Sequence, residues 1–334
     1  MKVLAVDLGG TKTLLQLVEL GGEWPLVLCE RRYASAEFES FEALLEQFLE
    51  KADTSGLHAV CIAVAGPVSS RDGRQVANVT NLPWTLDSEA LAARLQIGNC
   101  RLVNDFVAAA YGVDEVDTGH RTVLQAGDPE PGGSRAVIGA GTGLGHAILV
   151  GRGEQLRCLP SEAGHVAFAP LDDEQCELWA WLRADLGRVS CEHILSGPGL
   201  ARIYRFFESR EHGKPATVWP GPNAAAEGIT TRALNGSDPV AVRTLALFGR
   251  IYGAQAGHFA LASLATGGVY VAGGIAPCIV ETLHGGFLEA FREQGPMSAL
   301  VARLPLKVIT EPKVGLLGAA RLAIRDVRHA AACA

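Results

Sequence analysis

Two similar hairpin patterns, about 130 residues apart, constrain the fold of this chain more than any other feature. The first, LAVDLGGTKTLLQLVEL at residues 4–20, meets Asp7, turns on Gly9-Gly10-Thr11 and becomes apolar again. The second, AVIGAGTGLGHAILV at residues 136–150, turns on Gly141-Thr142-Gly143 between apolar runs. Each predicts two buried strands joined by a tight turn. Their apolar flanks align, which indicates a duplicated architecture, with two unrelated hairpins as the alternative.

Strand and helix patterns alternate along the rest of the chain. Helical periodicity predicts helices at 38–52 and 87–95, the second capped by Asp87 or Ser88. Apolar runs predict strands at 58–66 and 100–105, and a helix follows at 106–113. This alternation is typical of α/β layers around mixed sheets. The stretch 212–228, rich in Gly, Pro and Ala, is predicted to be a surface loop before a helix capped at Thr230 or Thr231.

Composition and charge exclude several classes of protein. The 334 residues are enough for two ordinary domains. The net charge of −7 and the lack of a Lys/Arg cluster argue against nucleic acid as a partner. None of the eight cysteines forms a CxxC pair, and no basic segment with a long apolar stretch opens the chain. We therefore expect a cytoplasmic protein.

One segment has the length of a membrane span. Residues 259–280 carry no charge over 22 positions. The pairs Gly267-Gly268 and Gly273-Gly274, with Pro277, divide it into a helix end, a short strand and a turn. The preceding residues 239–258 carry Arg243 and Arg250 among apolar residues at helical spacing. The pattern predicts a buried helix followed by a core strand, and no membrane partner.

The glycine turns suit phosphate chemistry. A turn without Cβ atoms lets backbone N–H groups approach phosphate oxygens, and Thr11 and Thr142 add hydroxyl donors. Asp7 could hold Mg²⁺ through water. A third glycine pair, Gly273-Gly274 in VYVAGGIAP, strengthens this interpretation against a purely structural hairpin with a capping aspartate. The chain has no GxxxxGK[ST] segment, and its glycines miss the GxGxxG spacing, so neither a P-loop nor a Rossmann dehydrogenase is supported.

Several motifs together resemble one family. VDLGGTKTLLQLV, GAGTGLG and VAGGI are similar to the two phosphate motifs and the adenosine motif of the actin-like sugar kinases. VNDFVAAAYG, LPSEAGHVAFAP, VSCEHILSGPGL and EPKVGLLGAARLA resemble segments of the bacterial glucokinase family along nearly the whole chain. The resemblance implies an α/β, two-domain actin-like ATPase (ribonuclease H-like) fold, with duplicated mixed sheets around a central cleft. The expected domains are 1–107, completed by a C-terminal helix at about 316–334, and 108–315.

Asn104 and Asp105 stand where a strand ends and a helix begins. Without the resemblance, helix capping by Asp105 is the simpler interpretation. The alternative is a general base that accepts the proton of an attacking sugar hydroxyl. In the resembled family the matching aspartate is that base and the asparagine beside it holds the sugar. The resemblance gives these roles to Asp105 and Asn104.

The pairs Glu162–His165 and Glu281–His284 are both ExxH patterns, which on helices can ligate two irons. Gly164 and the preceding Pro160-Ser161 argue against a regular helix at the first pair, so we favour hydrogen bonds to adjacent sugar hydroxyls. Glu192 matches the third sugar-binding residue of the family. The alternative is that Glu192 is an exposed residue of a helix. Asn81 is a further candidate at the sugar.

Related ROK proteins often carry a CxCGxxGC zinc segment. No cysteine pair here has that spacing, so no structural zinc is expected. A ROK repressor would also need a DNA-binding module before the first kinase strand, which is predicted to begin by Val3.

The resemblance predicts transfer of the γ-phosphoryl of ATP, with Mg²⁺, to the C6 hydroxyl of glucose, the first step of glucose use in glycolysis. It also implies a homodimer. The nucleotide residues expected are Asp7, Gly9, Gly10, Thr11, Gly141, Thr142, Gly143, Gly273 and Gly274, with Asp7 also the magnesium residue. Two alternatives stay open: a kinase for another hexose or an N-acetylhexosamine, and an actin-like ATPase that does not use sugar.

Overall fold

A computed structural model describes residues 1–21, 25–213 and 221–333. Its strands, in chain order, are β1 (Lys2–Leu8), β2 (Lys12–Glu19), β3 (Leu26–Ala34), β4 (Leu57–Val64), β5 (Val68–Arg71), β6 (Arg74–Asn78), β7 (Thr85–Asp87), β8 (Asn99–Asn104), β9 (Arg121–Gln125), β10 (Arg135–Ala140), β11 (Leu144–Val150), β12 (Arg157–Ser161), β13 (Gly268–Ala272) and β14 (Leu306–Ile309). Its helices are α1 (Phe41–Leu49), α2 (Ser88–Leu95), α3 (Asp105–Gly112), α4 (Asp173–Leu186), α5 (Gly197–His212), α6 (Pro222–Leu234), α7 (Pro239–Ala262), α8 (Leu288–Arg292), α9 (Ser298–Val301) and α10 (Val314–Cys333).

The chain divides into two compact units. The first comprises Met1–Asp117 and the C-terminal stretch from Glu311, and the second comprises Thr118–Thr310. The main sheet of the first unit has the strand order β3-β2-β1-β4-β8. β1 pairs antiparallel with β2 and parallel with β4, and β4 pairs parallel with β8. The apolar runs of β1, β2 and β4 lie almost wholly in the core, which explains why these strands show no polar alternation.

The main sheet of the second unit repeats this plan. Its order is β12-β11-β10-β13-β14-β9. β10 pairs antiparallel with β11 and parallel with β13, and β13 pairs parallel with β14. In the first sheet β1 has the same relationships to β2 and β4, and β4 to β8. The second sheet adds β9 antiparallel to β14 at its edge. The duplicated mixed α/β sheets predicted from the two hairpins are therefore confirmed.

Helix starts follow the sequence signals in most places. Asp87 caps α2, its side chain accepting the N–H groups of Glu89 and Ala90. Ser40 caps α1 in the same way through the N–H of Ala43. The charge-poor segment is a buried helix, α7, followed by the core strand β13, as predicted. Within the residues described, no helix has both the length and the apolar character needed to cross a membrane.

The loop predicted at 212–228 is wrong in its second part. Residues 222–228 belong to α6, and Thr230 and Thr231 lie inside this helix rather than at its cap. Pro222 occupies the first helical turn, where its missing N–H costs no hydrogen bond, and three alanines, Ala224–Ala226, then favour the helix. Residues 214–220 of the predicted loop lie outside the described part of the chain.

The first unit runs to Asp117 and resumes at Glu311, so α3 belongs wholly to it. Helices α3 and α10 pack closely there. A Cβ on Gly318 would overlap the carbonyl oxygen of Ala108, and one on Gly112 would overlap that of Val314. Glycine thus allows the two helix backbones to touch, and the close contact keeps the residues up to Asp117 with α10.

Candidate active site

Three parallel strands of the first unit end side by side. In the register of the sheet Leu8 pairs with Val64, and Val64 pairs with Asn104. Asp7, near the end of β1, and Asn104-Asp105, at the end of β8, therefore lie at the same carboxyl edge. This edge is where ligands bind in open α/β sheets.

The turn after β1 packs against the segment that carries Asn81. A Cβ on Gly10 would lie 2.8 Å from the carbonyl oxygen of Thr80 and 3.4 Å from the Cβ of Asn81. Asn81 itself has a φ of 65°, in the left-handed region that asparagine tolerates better than most residues. The N–H of Thr80 donates to the carbonyl of Ala65 at 2.8 Å, which ties this segment to the end of β4. The structure thus brings Asn81 and the first glycine turn together.

Asn104, rather than Asp105, is the N-cap of α3. Its Oδ1 accepts the N–H groups of Phe106 at 3.0 Å and Val107 at 3.3 Å, and its Nδ2 donates to the carbonyl of Gly66 at 3.2 Å. Asp105 is the first residue of the helix, and its Oδ1 also accepts the N–H of Phe106, at 2.8 Å. The capping interpretation of Asp105 is therefore wrong in its main part, because the neighbouring asparagine has that role.

The two carboxylates at this edge both have raised pKa values. Burial raises the pKa of Asp105 to about 6, opposed by its hydrogen bond from Phe106, and the charge of Asp7 raises it further. Burial also raises the pKa of Asp7, with Lys12 acting in the opposite direction. Gly315 of α10 lies against the Asp7 carboxylate, since a Cβ there would be 3.3 Å from Oδ2. A carboxylate with a pKa near 6 can exchange a proton with substrate near neutral pH.

The second unit presents the other two glycine segments together. Gly141, Thr142 and Gly143 form the tight turn between β10 and β11, closed by the N–H of Gly141 donating to the carbonyl of Gly143 at 2.8 Å. The Gly273-Gly274 pair follows β13, the neighbouring parallel strand. The N of Gly274 would lie 3.9 Å from a Cβ on Gly141. Thr142 is exposed at the tip of its turn, as Thr11 is in the first unit.

Three candidate sugar residues of the second unit also lie together. His165 Nδ1 is 3.9 Å from Oε1 of Glu192, and His165 Nε2 is 3.8 Å from Oε2 of Glu162. The Glu162 side chain is 92% exposed and that of Glu192 only 31%. Glu192 therefore is not the exposed helix residue that was its alternative interpretation. It precedes α5, in a turn whose Ser196 caps that helix.

The ExxH pairs do not have helical geometry suited to iron. Residues 163–165 form a single 3₁₀ turn after Glu162. Glu281 lies in a 3₁₀ segment that ends at Thr282, and His284 lies in the following π-helical turn, which is kinked at Gly285. No group of three or more His, Cys, Asp or Glu side chains within the described ranges could hold a metal ion.

Sequence reasoning missed the residues that support these side chains. Gly66 lies so close to Asn78 that a Cβ would overlap the carbonyl oxygen there, and Gly164 has the same relationship to Leu144. The buried Ser35 donates to the carbonyl of Gly9 at 2.7 Å and fixes the first turn from behind. The sequence signal for these supporting contacts was an isolated glycine beside Pro67 and another inside the Glu162–His165 segment.

The chain is similar to known proteins over nearly its whole length. The glucokinase family profile matches residues 4–326 of the chain. Glucokinases of Nostoc punctiforme and of a Nostoc species are 38% and 40% identical to it, over 97% of this chain and 99% of each relative. The crystal structure of a glucokinase from an Antarctic psychrotroph is 29% identical, with a TM-score of 0.84 over 97% of this chain and 98% of that one.

These matches extend through both units and include every candidate site residue from Asp7 to Gly274. The predicted actin-like, two-domain fold is confirmed by the same likeness. The profile match over almost the entire length, and relatives well above 30% identity, show that the chain belongs to the glucokinase family.

Proposed function

We propose that this protein transfers the γ-phosphoryl group of ATP to the C6 hydroxyl of glucose, giving glucose 6-phosphate and ADP. The observation that carries the proposal is the environment of Asp105. Its carboxylate lies at the carboxyl edge of a parallel sheet, and burial raises its pKa to about 6. Such a group is mostly ionised at neutral pH, yet basic enough to accept a proton from an alcohol as its oxygen attacks phosphorus.

Asn104 and Asn81 are proposed to hold the sugar beside this base. Asn104 uses its Oδ1 to cap α3 and its Nδ2 to bind Gly66, so its position is fixed before substrate arrives. Fixed polar groups reduce the entropy that is lost when a substrate is oriented. Asn81 lies beside the first glycine turn, where a side chain can reach a substrate near the phosphates.

Glu162, His165 and Glu192 are proposed to bind the remaining sugar hydroxyls. Carboxylate oxygens accept hydrogen bonds, and imidazole can donate or accept, so this set suits several adjacent hydroxyl groups. Their mutual distances, 3.8 and 3.9 Å from His165 to the two carboxylates, leave the exposed faces of Glu162 and His165 available.

The glycine turns are proposed to bind the nucleotide. Gly9, Gly10 and Thr11 would contact one part of the phosphate chain, and Gly141, Thr142 and Gly143 another. Gly273 and Gly274 would border the adenosine. Backbone N–H groups in such turns, with the exposed threonine hydroxyls, are suitable donors for phosphate oxygens.

Asp7 is proposed to hold the Mg²⁺ that accompanies ATP. Its carboxylate is a hard oxygen ligand, and a cation beside it would offset the burial that raises its pKa. Bound Mg²⁺ would neutralise charge on the phosphate oxygens during transfer. The chain's own contribution is to hold this carboxylate at the end of β1, against Gly315.

We further propose that the enzyme works in the cytoplasm as a homodimer. Every cysteine whose side chain is described is free, which suits a reducing compartment. The dimer follows from the family resemblance, and light scattering coupled to size-exclusion chromatography tests it by giving the mass in solution. A mass near 35.1 kDa would contradict it.

The test of the activity is a coupled assay of ADP release. The purified protein is given ATP, ADP or polyphosphate as donor, each with glucose, other hexoses, N-acetylglucosamine or no sugar. We expect turnover with ATP and glucose, and phosphorus NMR should identify the product as glucose 6-phosphate. ADP release at the full rate without sugar would contradict the kinase assignment. A strong preference for another hexose or for N-acetylglucosamine would retain the reaction and correct the substrate.

A further inference from the structure

Gly143 belongs to the second phosphate turn, yet it lies against a candidate sugar residue. A Cβ on Gly143 would be 2.6 Å from Oε2 of Glu192, a distance that real Cβ atoms essentially never show. The same Oε2 accepts the N–H of Leu144 at 3.0 Å. The Glu192 carboxylate therefore occupies the space that any larger residue at 143 would fill.

Leu144 also contacts the turn that carries the other two sugar candidates. A Cβ on Gly164 would overlap the carbonyl oxygen of Leu144. The N–H of Glu192 donates to the carbonyl of Gly164 at 2.9 Å. Gly143, Leu144, Gly164 and Glu192 thus form one packed group, which we call the Leu144 junction. It joins the end of the phosphate turn to the segments that carry Glu162, His165 and Glu192.

Gly141, two residues earlier in the same turn, has a different environment. A Cβ there would meet only the N of Gly274, at 3.9 Å, which is an ordinary contact. Protein packing therefore does not require glycine at 141. The two glycines of one turn can be separated by experiment, because only Gly143 makes room for Glu192.

We infer that Gly143 is a positioning residue for the sugar, acting through Glu192, and that the Leu144 junction links the sugar residues to the phosphate turn. This inference rests on the proposed function. A methyl group at 143 pushes the carboxylate away, which breaks its hydrogen bond with Leu144 and moves Oε1 relative to His165. A charge-assisted hydrogen bond to a sugar hydroxyl is then lost or lengthened.

The test compares Gly143→Ala with Gly141→Ala by steady-state kinetics. For Gly143→Ala we expect the KM for glucose to rise at least about tenfold, the effect of losing one strong hydrogen bond, and the KM for ATP to rise by a smaller factor, because the broken Glu192–Leu144 hydrogen bond also belongs to the phosphate turn. For Gly141→Ala we expect the KM for ATP to rise and the KM for glucose to change much less, because added bulk there meets only the nucleotide. A rise confined to the KM for ATP in Gly143→Ala would overturn the inference.

A double-mutant cycle separates positioning from general disruption. In a Glu192→Ala background the carboxylate is absent, so Gly143→Ala should produce no further rise in the KM for glucose. Effects that simply add in the double variant would overturn the inference, since Gly143 would then act without Glu192.

A second comparison does not depend on the folding of Gly143→Ala. Glu192→Ala removes the acceptor for the Leu144 N–H and should raise the KM for both ATP and glucose. Glu162→Ala, whose carboxylate does not contact the turn, should raise only the KM for glucose. Equal KM values for ATP in these two variants would overturn the inferred link between the sugar residues and the phosphate turn. A wild-type protein that fails to phosphorylate glucose would instead contradict the proposed function itself.

Discussion

Asp105 and Asp7 are electrostatically coupled: burial raises the pKa of Asp105 to about 6, and the charge of Asp7 acts in the same direction. A general base must be deprotonated to act. If Asp105 is the base, kcat/KM for glucose should fall as the pH is lowered through about 6 and level off above it. The profile measured from about pH 5 to 8 checks this.

Asp7→Asn is the matched variant for this interaction. Removing the Asp7 charge should lower the pKa of Asp105, because a neighbouring like charge no longer opposes its ionisation. Carbon NMR of the Asp105 carboxyl, recorded without nucleotide, measures that pKa directly even if the variant is inactive. An unchanged titration curve would mean that the two carboxylates do not interact.

Glu162→Gln should weaken glucose binding more than ATP binding. The substitution keeps the volume but turns one acceptor oxygen into a donor, so a sugar hydroxyl is left mispaired at a cost of about 1–3 kcal/mol. Calorimetry with each ligand measures the effect. Glu289→Gln, an exposed change on α8 of the same unit, is the control and should leave both affinities unchanged. An unchanged glucose affinity in Glu162→Gln would remove this residue from the site.

Gly318→Ala should destabilise the protein although alanine favours a helix by about 1 kcal/mol over glycine. The new Cβ would overlap the carbonyl of Ala108, so α3 and α10 must separate, at a cost of about 1–3 kcal/mol. Gly249→Ala is the control, since a Cβ inside α7 at that position meets nothing within 4 Å and should stabilise. Urea denaturation of both variants measures the change in the free energy of unfolding, which should be a decrease for Gly318→Ala and an increase for Gly249→Ala. Two stabilised proteins would refute the close packing of α3 on α10.

Local patterns predicted much of this fold. The two hairpins, a strand that ends near Asn104-Asp105 and a cap of α2 at Asp87 or Ser88 could be found because each depends on neighbouring residues, such as an apolar run that meets a glycine or a capping side chain. The choice between Asn104 and Asp105 as the N-cap of α3 could not be predicted. Both residue types cap helices equally well, and the position where the strand ends decides between them.

Contacts between distant segments were not predictable from one sequence. Gly143 and Glu192 are separated by dozens of residues, and Leu144 and Gly164 lie at opposite ends of the segment that forms β11 and β12. In the sequence Gly143 appears only as part of a phosphate turn. Its second constraint comes from the tertiary packing that brings the segment before α5 onto the start of β11.

The last prediction concerns Asp105→Asn. The substitution preserves the shape of the side chain, and Asn104 still caps α3, so the fold should persist. The amide cannot take the hydroxyl proton, and kcat should fall by roughly 10²–10⁴-fold. Glucose affinity should change much less, because the amide oxygen can still accept a hydrogen bond.

Stability gives this variant a second, independent readout. The folded-state pKa of Asp105 is raised above its ordinary value of 3.8 to about 6, so the folded protein binds the proton more tightly than the unfolded chain. The destabilisation by Asp105 therefore grows as the pH rises from 3.8 to about 6, and it reaches its full size above about 6. Asp105→Asn lacks this penalty, so its Tm should equal or exceed that of the wild type near neutral pH, and the difference should shrink as the pH falls through this range. Loss of kcat with an undiminished Tm identifies Asp105 as the base. Near-normal kcat would exclude it, and a lower Tm at neutral pH would contradict the burial of its charge.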